Sequence, residues 1–177
     1  GNDFKYMSRR LGCDGRFEAL TAQSPFDYFR QSLVLACDSL PDPSADANGY
    51  ALMLADAMKE VFGITKGRAL VLFTSYEMMN SVASYVRDDL ARLGIELLVQ
   101  GEGISREGMT RRLKERRNTV VFGSQSFWEG VDVAGEALSC VVLSRLPFAQ
   151  MGEPVIEARG EKIQREGYAT NITTDVA

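Results

Sequence analysis

The fold is decided by the stretch Ala69–Glu77, which reads ALVLFTSYE. Its first five residues form an unbroken apolar run, which is typical of a strand buried on both faces of a parallel sheet. Thr74 to Glu77 then have the form of a capping box, so a helix is predicted to begin directly after the strand. A buried strand that leads at once into a capped helix indicates an α/β domain.

The same alternation of strands and helices continues on both sides of this stretch. After the cap, apolar residues recur at helical spacing from Met79 to Leu90, and Gly94 is predicted to end that helix. Further strands are predicted at Ser32–Cys37, Ile95–Val99, Thr119–Phe122 and Leu138–Leu143, and further helices at Tyr50–Phe62 and Ser105–Arg117. Strands that alternate with helices imply a mostly parallel sheet with right-handed crossovers.

Polar segments follow the strands of the predicted sheet where each strand ends. They read TSYE after Phe73, QGEG after Val99, GSQSFWEGVD after Phe122 and SRLPF after Leu143. The carboxyl ends of parallel strands lie at one rim of the sheet, and open α/β sheets bind their ligands there. We therefore expect these segments to form one site.

The richest of these segments is Gly123–Asp132. Its two glycines permit tight turns, and the carboxylates of Glu129 and Asp132 suit hydroxyl or guanidinium partners. Two interpretations of Phe127 and Trp128 stay open, since these aromatic side chains either pack inward as core residues or offer a face on which a nucleobase stacks.

Two other features have a structural and a functional interpretation each. Thr74 and Ser75 cap a helix, but a helix N-terminus also presents free N–H groups that suit a phosphate. Arg106–Arg117 contains six basic and two acidic residues, so it carries +4 while the rest of the chain carries −8. A solvated helix face is the simpler interpretation of this run, and the net charge of −4 argues against DNA binding by bulk charge alone.

The composition excludes several classes of protein. The 177 residues are 45% apolar and 25% charged, which is ordinary for one globular α/β domain. No apolar run approaches the roughly 20 residues of a membrane helix, and no secretory signal is present, so we expect a cytoplasmic protein without a membrane partner.

The three cysteines are widely spaced and histidine is absent, so neither a metal site nor a Ser–His or Cys–His nucleophile is predicted. Neither a GxxxxGKS/T phosphate loop nor a GxGxxG fingerprint occurs, so the catalytic set is incomplete.

The segment Gly123–Leu138 closely resembles motif V of the DinG/XPD-like helicases, and its SFWEGVD core is highly specific. Arg68–Tyr76 (RALVLFTSY) resembles motif IV of that family, Ser24–Tyr28 the start of its second motor domain, and Ser144–Phe148 the stretch after motif V. The resemblance covers roughly residues 6–167 and is nearest to the bacterial DinG branch.

The resemblance implies the second RecA-like domain of a superfamily 2 DNA helicase, a three-layer α/β domain with a mostly parallel sheet flanked by helices. Residues 1–30 would lead into this domain, residues 31–167 would form it with motifs IV and V, and residues 168–177 would be a tail. The family moves 5′ to 3′ along single-stranded DNA, driven by ATP hydrolysis, and unwinds duplexes in DNA repair and replication.

By the same resemblance, the site residues fall into two groups. Those expected to face the nucleotide cleft are Glu129, Gly130 and Asp132. Those expected to contact DNA are Thr74, Ser75, Gln100, Gly101, Ser126, Phe127 and Trp128.

The implied cofactor is ATP with Mg²⁺, shared with a first motor domain. That domain would carry the phosphate loop, the Mg²⁺-binding box and, in many family members, an iron–sulfur cluster. The implied partners are single-stranded DNA and that first domain. No arginine-bearing motif VI is found after motif V, so we interpret the sequence as truncated or incomplete there and expect no ATPase activity from these 177 residues alone.

Two other functions stay open on the residues. One is a non-catalytic nucleic-acid or protein interaction module on a RecA-like fold, which a phosphate loop upstream and an arginine motif downstream in the parent gene would exclude. The other is an unrelated Rossmann-like enzyme, such as a transferase, against which the missing glycine fingerprint counts.

Overall fold

The computed structural model describes residue 4 and residues 7–8, 11–13, 16–147 and 154–165. Phe148 and the predicted tail at residues 168–177 lie outside the described residues. The chain divides into two compact units, Gly1–Asp38 and Ser39–Ala177.

The first unit contains a short helix, α1 (Tyr28–Gln31), whose N-cap Asp27 accepts a hydrogen bond from the N–H of Arg30 at 3.3 Å. The strand predicted over Ser32–Cys37 is wrong, because these residues form no regular structure. An apolar run becomes a strand only when another strand pairs with its backbone, and the described residues of this unit include no strand.

The second unit is an α/β domain, as predicted. Its elements in chain order are α2 (Ala47–Thr65), β1 (Ala69–Leu72), α3 (Tyr76–Arg92), β2 (Glu96–Val99), α4 (Arg106–Glu115), β3 (Thr119–Gly123), β4 (Cys140–Leu143) and α5 (Pro154–Arg165). The four strands form one sheet in the order β2-β3-β1-β4, and each neighbouring pair is parallel. The predicted parallel sheet is therefore confirmed.

The sheet separates two apolar clusters, because successive side chains of a strand point to opposite faces. Val71 and Phe122 belong to the cluster that includes the buried faces of α2 and α3. Leu70 and Val121 belong to the cluster that includes Met109 of α4. Both β1 and β3 are buried along their whole length, so the domain has three layers with the sheet in the middle.

The helix after β1 begins one residue later than the capping box predicted. Ser75, not Thr74, is the N-cap of α3, and its hydroxyl accepts a hydrogen bond from the N–H of Met78 at 3.2 Å. Glu77 consequently lies in the first turn, where a carboxylate interacts favourably with the helix dipole. The N-terminus of α3 thus opens directly at the carboxyl end of β1.

No helix in the described part of the chain is both long enough and apolar enough to cross a lipid bilayer.

Candidate functional site

The segments that follow β1, β2 and β3 meet at the side chain of Gln100. Its Oε1 accepts hydrogen bonds from the N–H of Ser124 at 2.7 Å and from the hydroxyl of Ser124 at 3.2 Å. Its Nε2 donates to the hydroxyl of Tyr76 at 2.7 Å and to Oγ of Ser126 at 3.1 Å. One carboxamide therefore joins three segments at the common rim that the parallel topology requires.

The loop Gly123–Asp132, called the rim loop below, turns sharply as it leaves β3. A 3₁₀ turn spans Gln125–Phe127, and the N–H of Phe127 donates to the carbonyl of Ser124 at 2.8 Å. A Cβ added at Gly123 would lie only 2.5 Å from Cγ of Phe127. This turn is possible because residue 123 has no side chain.

The turn sends Phe127 into the core rather than towards the rim. Its side chain is 2% exposed and packs with Met109 and Leu113 of α4 beneath the sheet. Of the two interpretations of this aromatic ring, inward packing is the correct one. The burial of the Phe127 ring does not support the predicted contact with DNA, which stays untested.

Trp128 lies at the boundary between the core and the surface. It packs against the same apolar cluster and remains partly exposed, and its indole Nε1 lies 3.4 Å from the carbonyl oxygen of Phe73, to which it donates. Its indole is therefore fixed at the carboxyl end of β1 with part of its surface accessible. Stacking of a base on Trp128 stays a prediction.

The far end of the rim loop carries the residues expected to face a nucleotide. Glu129, Gly130 and Asp132 are exposed, and Gly130 has a φ of +68°, in the left-handed region that favours glycine. Neither carboxylate forms a hydrogen bond or an ion pair with another described residue. Both are therefore available to a partner from outside the described residues.

Arg106, the first residue of α4, supports this end of the loop and was not singled out from the sequence. Its Nη2 donates to the carbonyl of Glu129 at 2.5 Å, and its guanidinium carbon lies 5.7 Å from the centre of the Phe127 ring. A Cβ added at Gly130 would lie 3.1 Å from the same Nη2. In the sequence, Arg106 was marked only by its place at the start of the basic run and by its closeness to the rim segment QGEG.

The remaining predicted DNA-contacting residues lie at the same rim. Thr74 and Ser75 are exposed where α3 begins, and Ser126 is exposed within the rim loop. Gly101 is also exposed, with a φ of +97° and no atom within 4 Å of an added Cβ. Gln100 brings Ser126 close to the start of α3, whereas Glu129 and Asp132 lie beyond Trp128 along the loop.

Half of the six basic residues in the run Arg106–Arg117 pair with neighbouring carboxylates. Arg112 and Arg116 pair with Glu96 at 2.7 and 3.5 Å, and Arg117 pairs with Glu136 at 3.0 Å. Such exposed pairs stabilise a fold by at most about 1 kcal/mol. Their geometry favours the interpretation of this run as a solvated helix face.

Near the rim, the carboxyl group of Glu107 has a lowered pKa. Glu107 lies in the first turn of α4, and a hydrogen bond from its own backbone N–H, followed by one from the hydroxyl of Ser105, lowers the pKa of its carboxyl. This carboxylate therefore stays ionised at neutral pH and adds negative charge beside Arg106.

Metal-binding groups are not gathered anywhere in the described residues. No set of three or more histidine, cysteine, aspartate or glutamate side chains is arranged to hold a metal ion there. Cys13 and Cys37 lie in the first unit and Cys140 in the second, and none of the three forms a disulfide with another described residue. Burial raises the pKa of the Cys140 thiol, which keeps it protonated at neutral pH.

The chain is similar in sequence to one protein family and to several known proteins. Residues 58–175 match the family model described as the helicase C-terminal domain. The chain is 34% identical over 166 residues to the ATP-dependent DNA helicase YoaA of Escherichia coli K12, which covers 94% of this chain and 25% of the relative. It is 30% identical over 169 residues to the ATP-dependent helicase DinG of Mycobacterium tuberculosis H37Rv, with 94% of this chain and 25% of the relative covered.

A further relative is named as an exonuclease rather than as a helicase. The chain is 30% identical over 169 residues to the 3′-5′ exonuclease DinG of Bacillus subtilis 168, with 93% of this chain and 18% of the relative covered. The chain thus spans a quarter or less of the length of these curated relatives.

Proposed function

Because the chain belongs to the family of helicase C-terminal domains, we propose that it is the second motor domain of an ATP-dependent DNA helicase. The observation that carries this proposal is the convergence of three rim segments on the carboxamide of Gln100. The same loop carries exposed hydroxyl groups at one end and, at the other, two carboxylates that have no partner among the described residues. We infer that the enzyme moves along single-stranded DNA, unwinds duplexes in DNA repair or replication, and acts in the cytoplasm.

We assign the nucleotide-facing role to Glu129, Gly130 and Asp132. A carboxylate repels a phosphate but accepts hydrogen bonds from a ribose hydroxyl or a guanidinium group. Glu129 and Asp132 are therefore suited to the sugar of ATP, or to an arginine of a facing domain, rather than to its phosphates. Support comes from their exposure and from the lack of partners for both carboxylates among the described residues.

ATP would be shared with a first motor domain, which is the proposed intramolecular partner. Mg²⁺, when bound, neutralises charge on the transferred phosphate, but the described residues form no cluster of ligands for it. We therefore assign the Mg²⁺ ligands and the phosphate loop to the first domain. The three cysteines do not form an iron–sulfur site in the described residues, so any such cluster would also be held elsewhere.

We assign the DNA-facing role to Thr74, Ser75, Gly101, Ser126 and Trp128. Hydroxyls and the free N–H groups at the start of α3 suit backbone phosphates, and the accessible part of the Trp128 ring suits a base. These groups carry no base-specific pattern, so binding is expected to be independent of sequence. It is also expected to be weak, because the net charge is −4 and three arginines of the basic run Arg106–Arg117 are already paired with carboxylates.

A second candidate function is a non-catalytic nucleic-acid-binding module within a longer nuclease. One observation favours it, namely that a relative of similar identity is named 3′-5′ exonuclease DinG. In that case the domain would bind single-stranded DNA without coupling to ATP turnover.

The deciding experiment uses the full-length gene product. Phosphate release from ATP is measured with and without single-stranded DNA, and displacement of a labelled strand from a duplex with a 5′ overhang is followed in parallel. Hydrolysis that single-stranded DNA stimulates, together with strand displacement, supports the motor domain. DNA binding without any ATP hydrolysis contradicts it and favours the nuclease module.

A further inference from the structure

The connection between β2 and α4, Gln100–Arg106 (QGEGISR), holds the rim loop at both of its ends. Gln100 binds the beginning of the loop at Ser124 and Ser126, and Arg106 binds its far end at Glu129. We propose that Gln100 and Arg106 are positioning residues that couple DNA contact at Ser126 to nucleotide contact at Glu129. This inference rests on the proposed function, and it reassigns Gln100 from a DNA ligand to an internal anchor.

The hydrogen-bonding capacity of Gln100 is used up within the domain. A carboxamide has two N–H donors and two acceptor lone pairs. Both donors are engaged by Tyr76 and Ser126, and Oε1 accepts two hydrogen bonds from Ser124. No polar group of the side chain is left for a phosphate, so Gln100 acts by fixing the hydroxyl of Ser126 relative to the start of α3.

The contact made by Arg106 holds the opposite end of the loop. Its Nη2 donates to the carbonyl of Glu129, and the guanidinium group lies over the buried ring of Phe127. The same Nη2 would be 3.1 Å from a Cβ at Gly130, so the backbone of residues 129–130 rests on the guanidinium group. The orientation of the Glu129 side chain therefore depends on where Arg106 lies.

Folding stability alone does not explain an arginine at this position. The Nε of Arg106 is buried and has no hydrogen-bond partner among the described residues. A buried donor without an acceptor opposes folding, which offsets part of what the Glu129 contact contributes. A side chain with the same aliphatic stem and no guanidinium group should therefore preserve the fold but release the loop.

The two anchors are six residues apart in one short connection. A displacement of Ser126 by DNA would be transmitted through Gln100 to this connection, and from there through Arg106 to Glu129. Coupling of this kind requires both contacts, since the loss of either one frees one end of the loop. The strength of this coupling is measured by the stimulation ratio, which is the rate of ATP hydrolysis with single-stranded DNA divided by the rate without it.

The test compares Gln100→Leu and Arg106→Met with wild type in the full-length gene product. Gln100→Leu removes four hydrogen bonds at one end of the loop and Arg106→Met removes one at the other. We expect the stimulation ratio to fall about tenfold in Arg106→Met, which is the effect of one hydrogen bond, and at least as far in Gln100→Leu. The matched controls Gln125→Leu and Arg111→Met alter exposed side chains that make no hydrogen bond or ion pair with described residues, and they should keep the wild-type ratio.

Conservative variants separate positioning from a purely structural role. In Gln100→Glu the hydroxyls of Tyr76 and Ser126 can donate to the new carboxylate, and in Arg106→Lys the ammonium group can donate to Glu129, so both should recover part of the ratio. Unchanged ratios in Gln100→Leu and Arg106→Met overturn the proposal. So does a loss of activity that merely follows a lower unfolding midpoint without recovery in the conservative variants.

A second measurement does not depend on ATP hydrolysis. Trp128 is the only tryptophan of these 177 residues, so iodide quenching of its fluorescence, measured in the 177-residue chain, reports the position of the rim loop. We expect Gln100→Leu and Arg106→Met to increase the quenching constant, while Gln125→Leu and Arg111→Met leave it unchanged. If wild type lacks ATPase activity, the proposed function fails, and unchanged quenching in both anchor variants would still overturn the positioning role by itself.

Discussion

Gly123→Ala should destabilise the domain by forcing Phe127 out of its buried position. The added Cβ would lie 2.5–2.7 Å from Cγ, Cδ2 and Cβ of Phe127, which is well inside van der Waals contact. Phe127 is 2% exposed, so it cannot move without losing apolar contacts in the cluster between the sheet and α4.

The magnitude follows from two comparable estimates. Overpacking a core by one methyl group costs about 1–3 kcal/mol, and fully exposing a buried phenylalanine costs about 1.5–3 kcal/mol. Since the structure relaxes along whichever route costs less, we expect a loss of about 2 kcal/mol in the free energy of unfolding. For a chain of 177 residues this corresponds to a fall in Tm of about 4–8 °C.

Urea unfolding, followed by circular dichroism and by Trp128 fluorescence, measures this loss. The matched control is Gly63→Ala in α2, where no atom lies within 4 Å of the added Cβ. There the same substitution should stabilise the protein by about 0.5–1 kcal/mol, because alanine favours a helix over glycine.

A double-mutant cycle identifies the cause of the effect. In a Phe127→Ala background Cγ and Cδ2 are absent and only Cβ still lies near the new methyl group, so Gly123→Ala should cost less there than in the wild-type background. An equal cost in both backgrounds, or a cost no different from that of Gly63→Ala, would refute the steric reasoning.

Further predictions concern the anchoring of the rim and its response to pH and salt. Tyr50→Phe should lower the free energy of unfolding by about 1–3 kcal/mol in urea titrations, because the buried Tyr50 hydroxyl donates to the carbonyl of Ser144 after β4. An unchanged value would show that this bond contributes nothing. The pKa of Glu107 is lowered on folding, so its contribution is present at neutral pH and lost as pH falls through the folded-state pKa. Unfolding curves of Glu107→Gln should accordingly differ from wild type at pH 7 and coincide at strongly acidic pH. Trp128→Ala should weaken single-stranded DNA binding by about 1–3 kcal/mol in an anisotropy titration, and the wild-type affinity should fall as salt rises. Salt-independent binding or an unaltered Trp128→Ala affinity would remove this residue from the DNA surface.

Much of the fold could be predicted because the signals are local. Ala69–Phe73 is apolar without interruption, and its strand is indeed buried on both faces. The resemblance based on the Gly123–Leu138 segment is confirmed by the family match over residues 58–175. The strand predicted at Ser32–Cys37 failed because strand formation depends on a pairing partner, which an isolated apolar run does not reveal.

The details of the candidate site could not be predicted for a related reason. Gln100 bonds residues that lie 24 and 26 positions away along the chain, so its saturation becomes visible only in three dimensions. Phe127 is buried because Gly123 lets the loop turn back under the sheet. The composition of the loop does not show whether its aromatic side chains point into the core or towards solvent. Arg106 could not be distinguished by sequence from the rest of its basic run, in which Arg112 and Arg117, for example, form ion pairs at the surface.

The central claim is that one end of the rim loop faces DNA and the other faces the nucleotide. Its most direct test is to measure, in the full-length gene product, the KM for ATP and the affinity for single-stranded DNA of Ser126→Ala and Asp132→Asn. We predict that Ser126→Ala weakens DNA binding about threefold to tenfold with little change in KM, and that Asp132→Asn raises KM by a similar factor with little change in DNA affinity. The claim is contradicted if both variants change the same parameter, or if neither parameter changes in either variant.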